Sequence, residues 1–342
     1  MEQSLIVVDR NTKIDDFCSE LLATRALRRL GEITFLGAID FVQPSNGNAP
    51  HRRRHYRLEH SQCVTKLISQ YCDRISLPDF ERFHLLAAGL LHDVGHGPLS
   101  HTLEAVFKSE FGLDHHSVGL AHIYGKTKLG EEISEVFSKW NIDREYVAEL
   151  VTARADSLYS SIFCSSHNVD TLEGIARSMT MVKPSSTHRS ADSFLERLWL
   201  SGEFDYEVGD EFWLMKNEVY TLLINGAIGR LMDAVAKSYM KSRVSEFGPE
   251  DFMLGESQFK KRHGILFKIL NNARSGKRIN DFLDSNMLQT ELEFVTRQFV
   301  INGDSRLLSA RYLQKKSERT LPLQSILQTF SNAKTHQLEL SL

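Results

Sequence analysis

Cysteine is scarce in this 342-residue chain: Cys18, Cys63, Cys72 and Cys164 are the only four, and no two form a Cys-x-x-Cys pair. So few, so far apart, exclude a disulfide framework. Proline is rare as well, at seven, and the absence of low-complexity tracts and internal repeats leaves no stacked-repeat architecture. No apolar run approaches the roughly 20 residues that cross a bilayer, so no membrane partner is expected. The N-terminus, Met1 to Arg10, lacks the layout of a signal peptide, and a cytoplasmic location follows as the expectation. The formal net charge is −3, so there is no global pull toward nucleic acid. At 42% hydrophobic residues, the chain has enough apolar material for a full core, in one large domain or in a domain with an appendage.

What the chain has in excess is histidine, in one place. Ten of its 14 histidines fall between His51 and His122, where an even spread would put about three. The densest stretch is Leu90-Leu91-His92-Asp93-Val94-Gly95-His96-Gly97-Pro98-Leu99-Ser100-His101. Neutral imidazole is the commonest metal ligand and a good proton carrier, so the clustering points to a site. Two flanking signals extend it, Arg57-Leu58-Glu59-His60-Ser61 upstream and Asn168-Val169-Asp170-Thr171-Leu172 downstream.

Apolar positions recur mostly at spacings of three and four, which predicts a mainly α fold. Helices are expected over 15–30, 60–71, 79–92, 132–140, 144–152 and 169–179. Another runs through Leu103 to Phe111, with Pro98 in its first turn. A long helix is expected over 212–242, with Gly226 and Gly229 as weak points. The remainder, to about Gln328, reads as helical stretches joined by polar links. Strand candidates are few, at 33–41 and 204–208. All the clustered motifs precede Ser201-Gly202-Glu203, so residues 1–200 read as the catalytic unit and 201–342 as a helical accessory region. The stretch 182–188 reads as an exposed loop.

His-Asp adjacency at a helix end lets an imidazole and a carboxylate face the same ion if the helix unwinds just after them, and Gly95 and Gly97 are expected to supply that freedom. His60 would come from a neighbouring helix and Asp170 from a later one. Two nitrogen and two oxygen ligands on a six-coordinate ion leave about two positions for water and a phosphate oxygen. That set suits Mn, Mg, Fe, Co or Ni better than a closed structural zinc site.

The order His60, His92-Asp93, Asp170 resembles that of the HD metal-dependent phosphohydrolases, and within them the deoxynucleoside triphosphate triphosphohydrolase branch. The likeness runs over roughly residues 17–180 and includes Thr24-Arg25-Ala26-Leu27-Arg28-Arg29-Leu30 and Asp114-His115-His116. It implies an HD-domain helical core and a metal held by His60, His92, Asp93 and Asp170. It further implies phosphate contacts or proton transfer at His96, His101 and His115, an acid at Glu104 that orients His115, and a phosphate-binding arginine at Arg57. His101 and Glu104 stand three apart, on one face of a helix, where a carboxylate raises the basicity of its imidazole. Between His115 and His116, the family spacing favours His115.

The chain also departs from that pattern. Where the triphosphohydrolases carry a tyrosine and an aspartate for the sugar 3′-hydroxyl, it has Gly174 and Ser178. Thr171 replaces a lysine and Phe35 a glutamine, while Arg177 is kept as a substrate-binding candidate. The resemblance implies hydrolysis of a dNTP to deoxynucleoside and triphosphate, by a homo-oligomer, while these departures bear on deoxyribose selection. Alternatives are a phosphatase or phosphodiesterase acting on another nucleotide or a nucleic-acid end, and a silent nucleotide-binding regulatory module. The basic run 51–55 would attract phosphate or serve only as a solvated loop. Lys260 to His263 reads as a solvated helix face, Trp140, Trp199 and Trp213 as core anchors, and His84 as a buried structural residue.

Overall fold

The computed structural model describes residues 10–41, 54–152, 154, 159–183, 188–274 and 283–328. Most of the basic run (51–53) and the centre of the 182–188 loop (184–187) lie outside the described residues. The fold is mainly α. In the first half the helices are α1 (Arg10–Ala23), α2 (Arg25–Leu30), α3 (Arg57–Arg74), α4 (Asp79–Leu91), α5 (His101–Phe111), α6 (His115–Ile123), α7 (Gly130–Trp140), α8 (Arg144–Val151), α9 (Ser161–Cys164), α10 (Val169–Val182) and α11 (Ala191–Leu195). After residue 201 come α12 (Tyr206–Val219), α13 (Ala227–Ser242), α14 (Glu256–Arg262), α15 (Gly264–Arg274), α16 (Ser285–Gln289), a strand β1 (Glu291–Ile301), α17 (Leu308–Arg311) and a strand β2 (Tyr312–Pro322).

Local chemistry sets the boundaries that matter for the site. The helix expected over 15–30 is two helices. The Thr24 hydroxyl donates to the carbonyl of Leu21 at 2.7 Å and its backbone turns extended, so a new helix starts at Arg25. Asp114 caps α6 by accepting from the Ser117 N–H at 2.8 Å, and Asn168 caps α10 by accepting from the Thr171 N–H at 2.7 Å. Pro98 lies in the turn before α5, which starts at His101. The single helix expected over 212–242 is likewise two. A wide turn at Tyr220–Ile224 and a break at Asn225-Gly226 separate α12 from α13, which meet at 57°. No single described helix is long and apolar enough to cross a membrane.

Both strand candidates fail. Residues 33–41 hold only an isolated bridge, Thr34 to Tyr56, and a short 3-10 turn at Gly37–Phe41, while 204–208 runs into α12. The strands that do form lie in the stretch expected to be helical. β1 and β2 pair antiparallel from Glu291 opposite Pro322 to Ile301 opposite Tyr312.

The buried side chains form three clusters. One joins α1 to α4 with α7 and α8 around Phe17, Leu67, Leu86 and Phe137. A second sets Leu99, Leu103 and Phe107 against Leu231, Val235 and Phe259, so residues from both sides of position 201 share one core. A third packs α10 and α11 on α12 and the hairpin, around Phe212 and Trp213.

Polar stitches follow the same seam. Buried Arg29 donates to the carbonyls of His96 (2.6 Å), Phe252 (2.8 Å) and Leu254 (3.2 Å). Buried Glu256 accepts from the Thr34 N–H (2.8 Å), the Thr34 hydroxyl (2.6 Å) and the Leu99 N–H (3.1 Å). Each satisfies groups that would be costly to bury alone.

Candidate metal centre

His92 and Asp93 leave the end of α4 as the chain turns. The helix does unwind there, but the two glycines that follow serve it without left-handed backbone, since neither has positive φ. They allow close approach. A Cβ on Gly95 would lie 2.0 Å from the His115 carbonyl oxygen, and one on Gly97 would lie 2.9 Å from the Phe252 ring. Gly95 thus presses the His-Asp turn against the start of α6. The left-handed backbone falls instead on Leu99 (φ 57°) and Ser100 (φ 45°), an uncommon conformation for non-glycine residues. It is held there by the Glu256 contact to the Leu99 N–H and by the Ser100 hydroxyl, which donates to the Thr34 carbonyl at 2.5 Å.

The four residues expected to hold a metal converge. His60 Nε2 lies 3.2 Å from His92 Nε2, 2.9 Å from Asp170 Oδ1 and 3.7 Å from Asp93 Oδ2. His92 Nε2 lies 3.5 Å from Asp93 Oδ2 and 3.7 Å from Asp170 Oδ1. The far nitrogens are spoken for. His92 Nδ1 is 2.8 Å from the Gly89 carbonyl, which only accepts, so Nδ1 carries the hydrogen. His60 Nδ1 is 2.5 Å from Glu173 Oε2 and donates to it. In the neutral rings, both Nε2 lone pairs therefore face each other between two carboxylates. Burial lowers the His60 pKa, but hydrogen bonds to Asp170 and Glu173 outweigh it and raise the value to about 9. The carboxylates around this ring favour positive charge at this point, and the donor set fits a divalent ion.

Glu173 was not foreseen. It is buried on α10, one turn after Asp170, and Arg177 Nη2 donates to it at 2.6 Å. Arg177, expected at the substrate, is tied to Glu173 and to His55 Nδ1 (3.0 Å). Arg57 is also committed: Nη1 donates to Asp93 at 2.8 Å and Nε to the Ser100 hydroxyl at 3.0 Å. Against burial, Arg57 and the neighbouring imidazoles hold the Asp93 carboxyl well below its usual range.

A second group adjoins the first through His96, whose Nε2 is 3.3 Å from Asp93 Oδ1. The His96 ring is buried, has no partner on Nδ1, meets only Asp93 through Nε2, and stacks on His115 at 4.1 Å. Burial and then Arg57 push its pKa well below the usual value, so it is neutral. Glu104 bridges the other two histidines, accepting from His115 Nδ1 at 2.6 Å and His101 Nδ1 at 3.0 Å. Burial would raise the Glu104 pKa, but these two imidazoles hold it below the carboxylate range. His116 is exposed and makes no bond to Glu104, so the structure brings His115 into the group.

One further cation was missed. Lys216 on α12 lies against Trp213 and Phe299, at 4.7 and 4.8 Å from the ring centroids. It has no carboxylate partner within ion-pair distance among the described residues, though the Asp170 carboxylate is near enough to favour its charged form. Burial lowers its pKa to about 8. Three other residues singled out in the sequence have structural roles. His84 is buried, with Nδ1 on the Phe80 carbonyl and Nε2 accepting from the Asp143 N–H. Trp140 stacks on Phe83, and Trp199 donates to the His167 carbonyl.

Residues 57–161 match the family model of the HD domain. The protein carries an HD domain. HD domains are divalent-metal dependent, in keeping with the donor set above. Among curated proteins, the chain is 30% identical over 159 residues to the uncharacterised protein YwfO of Bacillus subtilis, covering 42% of this chain and 34% of that one. It is 31% identical over 106 residues to a protein of Dictyostelium discoideum named deoxynucleoside triphosphate triphosphohydrolase SAMHD1 homolog, covering 29% and 19%. The chain thus spans about a third or less of the length of these relatives. In fold it is similar to a phosphohydrolase from Bacteroides thetaiotaomicron, with a TM-score of 0.55 and 14% identity over 90% of this chain and 92% of that one.

Proposed function

We propose that this HD domain is a metal-dependent nucleotide phosphohydrolase whose finest expected activity is the release of triphosphate from a dNTP. The observation that carries the reading is the meeting of two imidazole lone pairs and two carboxylates beside a Glu104-bridged histidine pair. His60, His92, Asp93 and Asp170 would hold the ion. When bound, it polarises a phosphoryl oxygen and acidifies a water. Glu173 fixes the His60 ring, and Arg57 fixes Asp93. His96 and Lys216 offer polar groups to phosphate oxygens at the two sides of the centre. His115 gives its Nδ1–H to Glu104, so its Nε2 is the nitrogen that presents a proton to a departing 5′-oxygen. Glu104 stabilises the charged form of that ring before the proton leaves.

A second reading is favoured by the wall facing His60. The Phe35 ring centroid is 4.8 Å from that of His60, and a Cβ on Gly174 would lie 3.4 Å from Phe35 Cζ. A side chain at 174 would stand in van der Waals contact with Phe35, so the two departures from the triphosphohydrolase pattern adjoin each other. With Ser178 buried, this wall has lost the groups that read a 3′-hydroxyl, which supports a phosphatase or phosphodiesterase acting on another nucleotide. Product chromatography separates the readings, with Mn, Mg, Co or Ni and each nucleoside and deoxynucleoside triphosphate. Free triphosphate supports the first reading. Orthophosphate or a monophosphate supports the second. No metal-dependent turnover of any nucleotide overturns both.

A further inference from the structure

Glu256 is a buried carboxylate at the start of α14, beyond the residues that match the HD domain. Burial raises its pKa, and hydrogen bonds from Thr34 and Leu99 oppose the rise. A carboxylate in such a place is costly unless it is hydrogen-bonded. Three bonds fall on one of its oxygens: Oε1 accepts from the Thr34 N–H at 2.8 Å, the Thr34 hydroxyl at 2.6 Å and the Leu99 N–H at 3.1 Å.

These bonds hold a strained turn. Leu99 (φ 57°) and Ser100 (φ 45°) are both buried, in a backbone region that non-glycine residues rarely adopt. Such strain persists only where the surroundings over-determine it. Glu256 grips Leu99, just before Ser100, and Thr34, whose carbonyl accepts from the Ser100 hydroxyl at 2.5 Å. That hydroxyl in turn accepts from Arg57 Nε at 3.0 Å, and Arg57 Nη1 donates to Asp93 Oδ2 at 2.8 Å. The path from Glu256 to Asp93 is continuous and buried throughout. Two further contacts join the same stretch to the turn. Buried Arg29 donates at once to the carbonyls of His96, Phe252 and Leu254, and Gly97 lies against the Phe252 ring.

We propose that Glu256 is a positioning residue for the metal centre, acting through the Leu99-Ser100 turn and Arg57 on Asp93. The proposal rests on the reading of Asp93 as a metal donor. It makes the second half of the chain part of a centre whose donors all lie in the first. Groups that orient a ligand from behind commonly alter metal affinity by about 10- to 100-fold.

The test is calorimetric titration of the full chain with Mn²⁺ in metal-free buffer, on the wild type, E256A, E256Q, S100A and E256A/S100A, with a urea midpoint for each. E256A should weaken Mn²⁺ binding about tenfold. E256Q should stay within about threefold of the wild type, because its amide carbonyl accepts where Oε1 did. S100A should weaken binding by a similar factor. E256A/S100A should lie within about twofold of the more affected single variant, because both changes cut one path. A lower urea midpoint in E256A with Mn²⁺ affinity unchanged makes Glu256 structural only and overturns the proposal. Single losses that multiply in the double variant overturn it too. If E256A does not fold, S100A decides, and unchanged affinity there overturns the path. A wild type that binds no Mn²⁺ overturns the reading of the metal centre itself, and the proposal with it, a result distinct from the others.

Discussion

Two histidine clusters lie side by side in this HD domain, built from the same residue types with opposite polarity. Around His60 and His92, hydrogen-bond acceptors sit behind the rings: Glu173 and the Gly89 carbonyl take the Nδ1 hydrogens. The Nε2 lone pairs turn inward. Around Glu104 the carboxylate sits in the middle and takes the hydrogens of His101 and His115 itself. Lone pairs turned inward suit a cation, whereas a central carboxylate fixes the Nδ1 hydrogens of its two rings and turns their Nε2 atoms outward. In the proposed mechanism, the position of one carboxylate relative to two imidazoles is what separates ligand from acid.

That contrast breaks most visibly at the first cluster. H92A/D93A removes a nitrogen and an oxygen from the metal donors and should cost at least about a thousandfold in kcat/KM, with loss of bound metal by elemental analysis. H115A should cost on the order of a hundredfold or more in kcat while leaving metal content intact. E104Q should act on the same step through His115, flattening the limb of the pH–rate profile that reports the acid. An unchanged profile would deny Glu104 that role. E173Q acts from behind His60 and should weaken metal binding about 10- to 100-fold, with kcat recovering at saturating metal. Lys216 touches neither cluster directly. K216A should raise KM about tenfold with little change in kcat, and K216R should restore most of it.

Stability gives a smaller and independent effect. Burial lowers the pKa of His122 to about 3 and that of His167 to about 4. These rings stay neutral in the fold while the unfolded chain takes up protons below about pH 6.5. Their contribution is complete above that pH and is lost as pH falls toward 4, by about 3 kcal/mol for His167 alone. Urea midpoints at pH 7 and 4.5 should show the fall, and H167F should reduce it. An equal fall in H167F would remove His167 from the account.

The four side chains that converge, proposed here as metal donors, were legible because their signal is local: His92 and Asp93 share one turn with Gly95 and Gly97, and His60 and Asp170 sit in short motifs of their own. The residues that hold them were less so, because their partners lie far along the chain. Glu173 reaches His60 across 113 positions and Glu256 reaches Thr34 across 222. A signal for Glu173 was nonetheless present. It lies on the apolar face that Val169, Leu172 and Ala176 define on α10, where a carboxylate has no reason to be buried without a partner.

The hairpin shows the opposite limit. β1 carries Phe294, Val295, Thr296, Phe299 and Val300, a readable strand composition. β2 is exposed along almost its whole length, so its conformation comes from the ladder to β1 rather than from a pattern of its own. The split of 15–30 into two helices turned on a single capping threonine within an otherwise continuous helical period.

Mn²⁺ titration of the wild type, H60A and H101A/H115A, by calorimetry in metal-free buffer, tests the distinction between the clusters most directly. The account predicts one ion per chain, lost in H60A and bound within about threefold of wild-type affinity in H101A/H115A. Binding that survives H60A but disappears in H101A/H115A would contradict it.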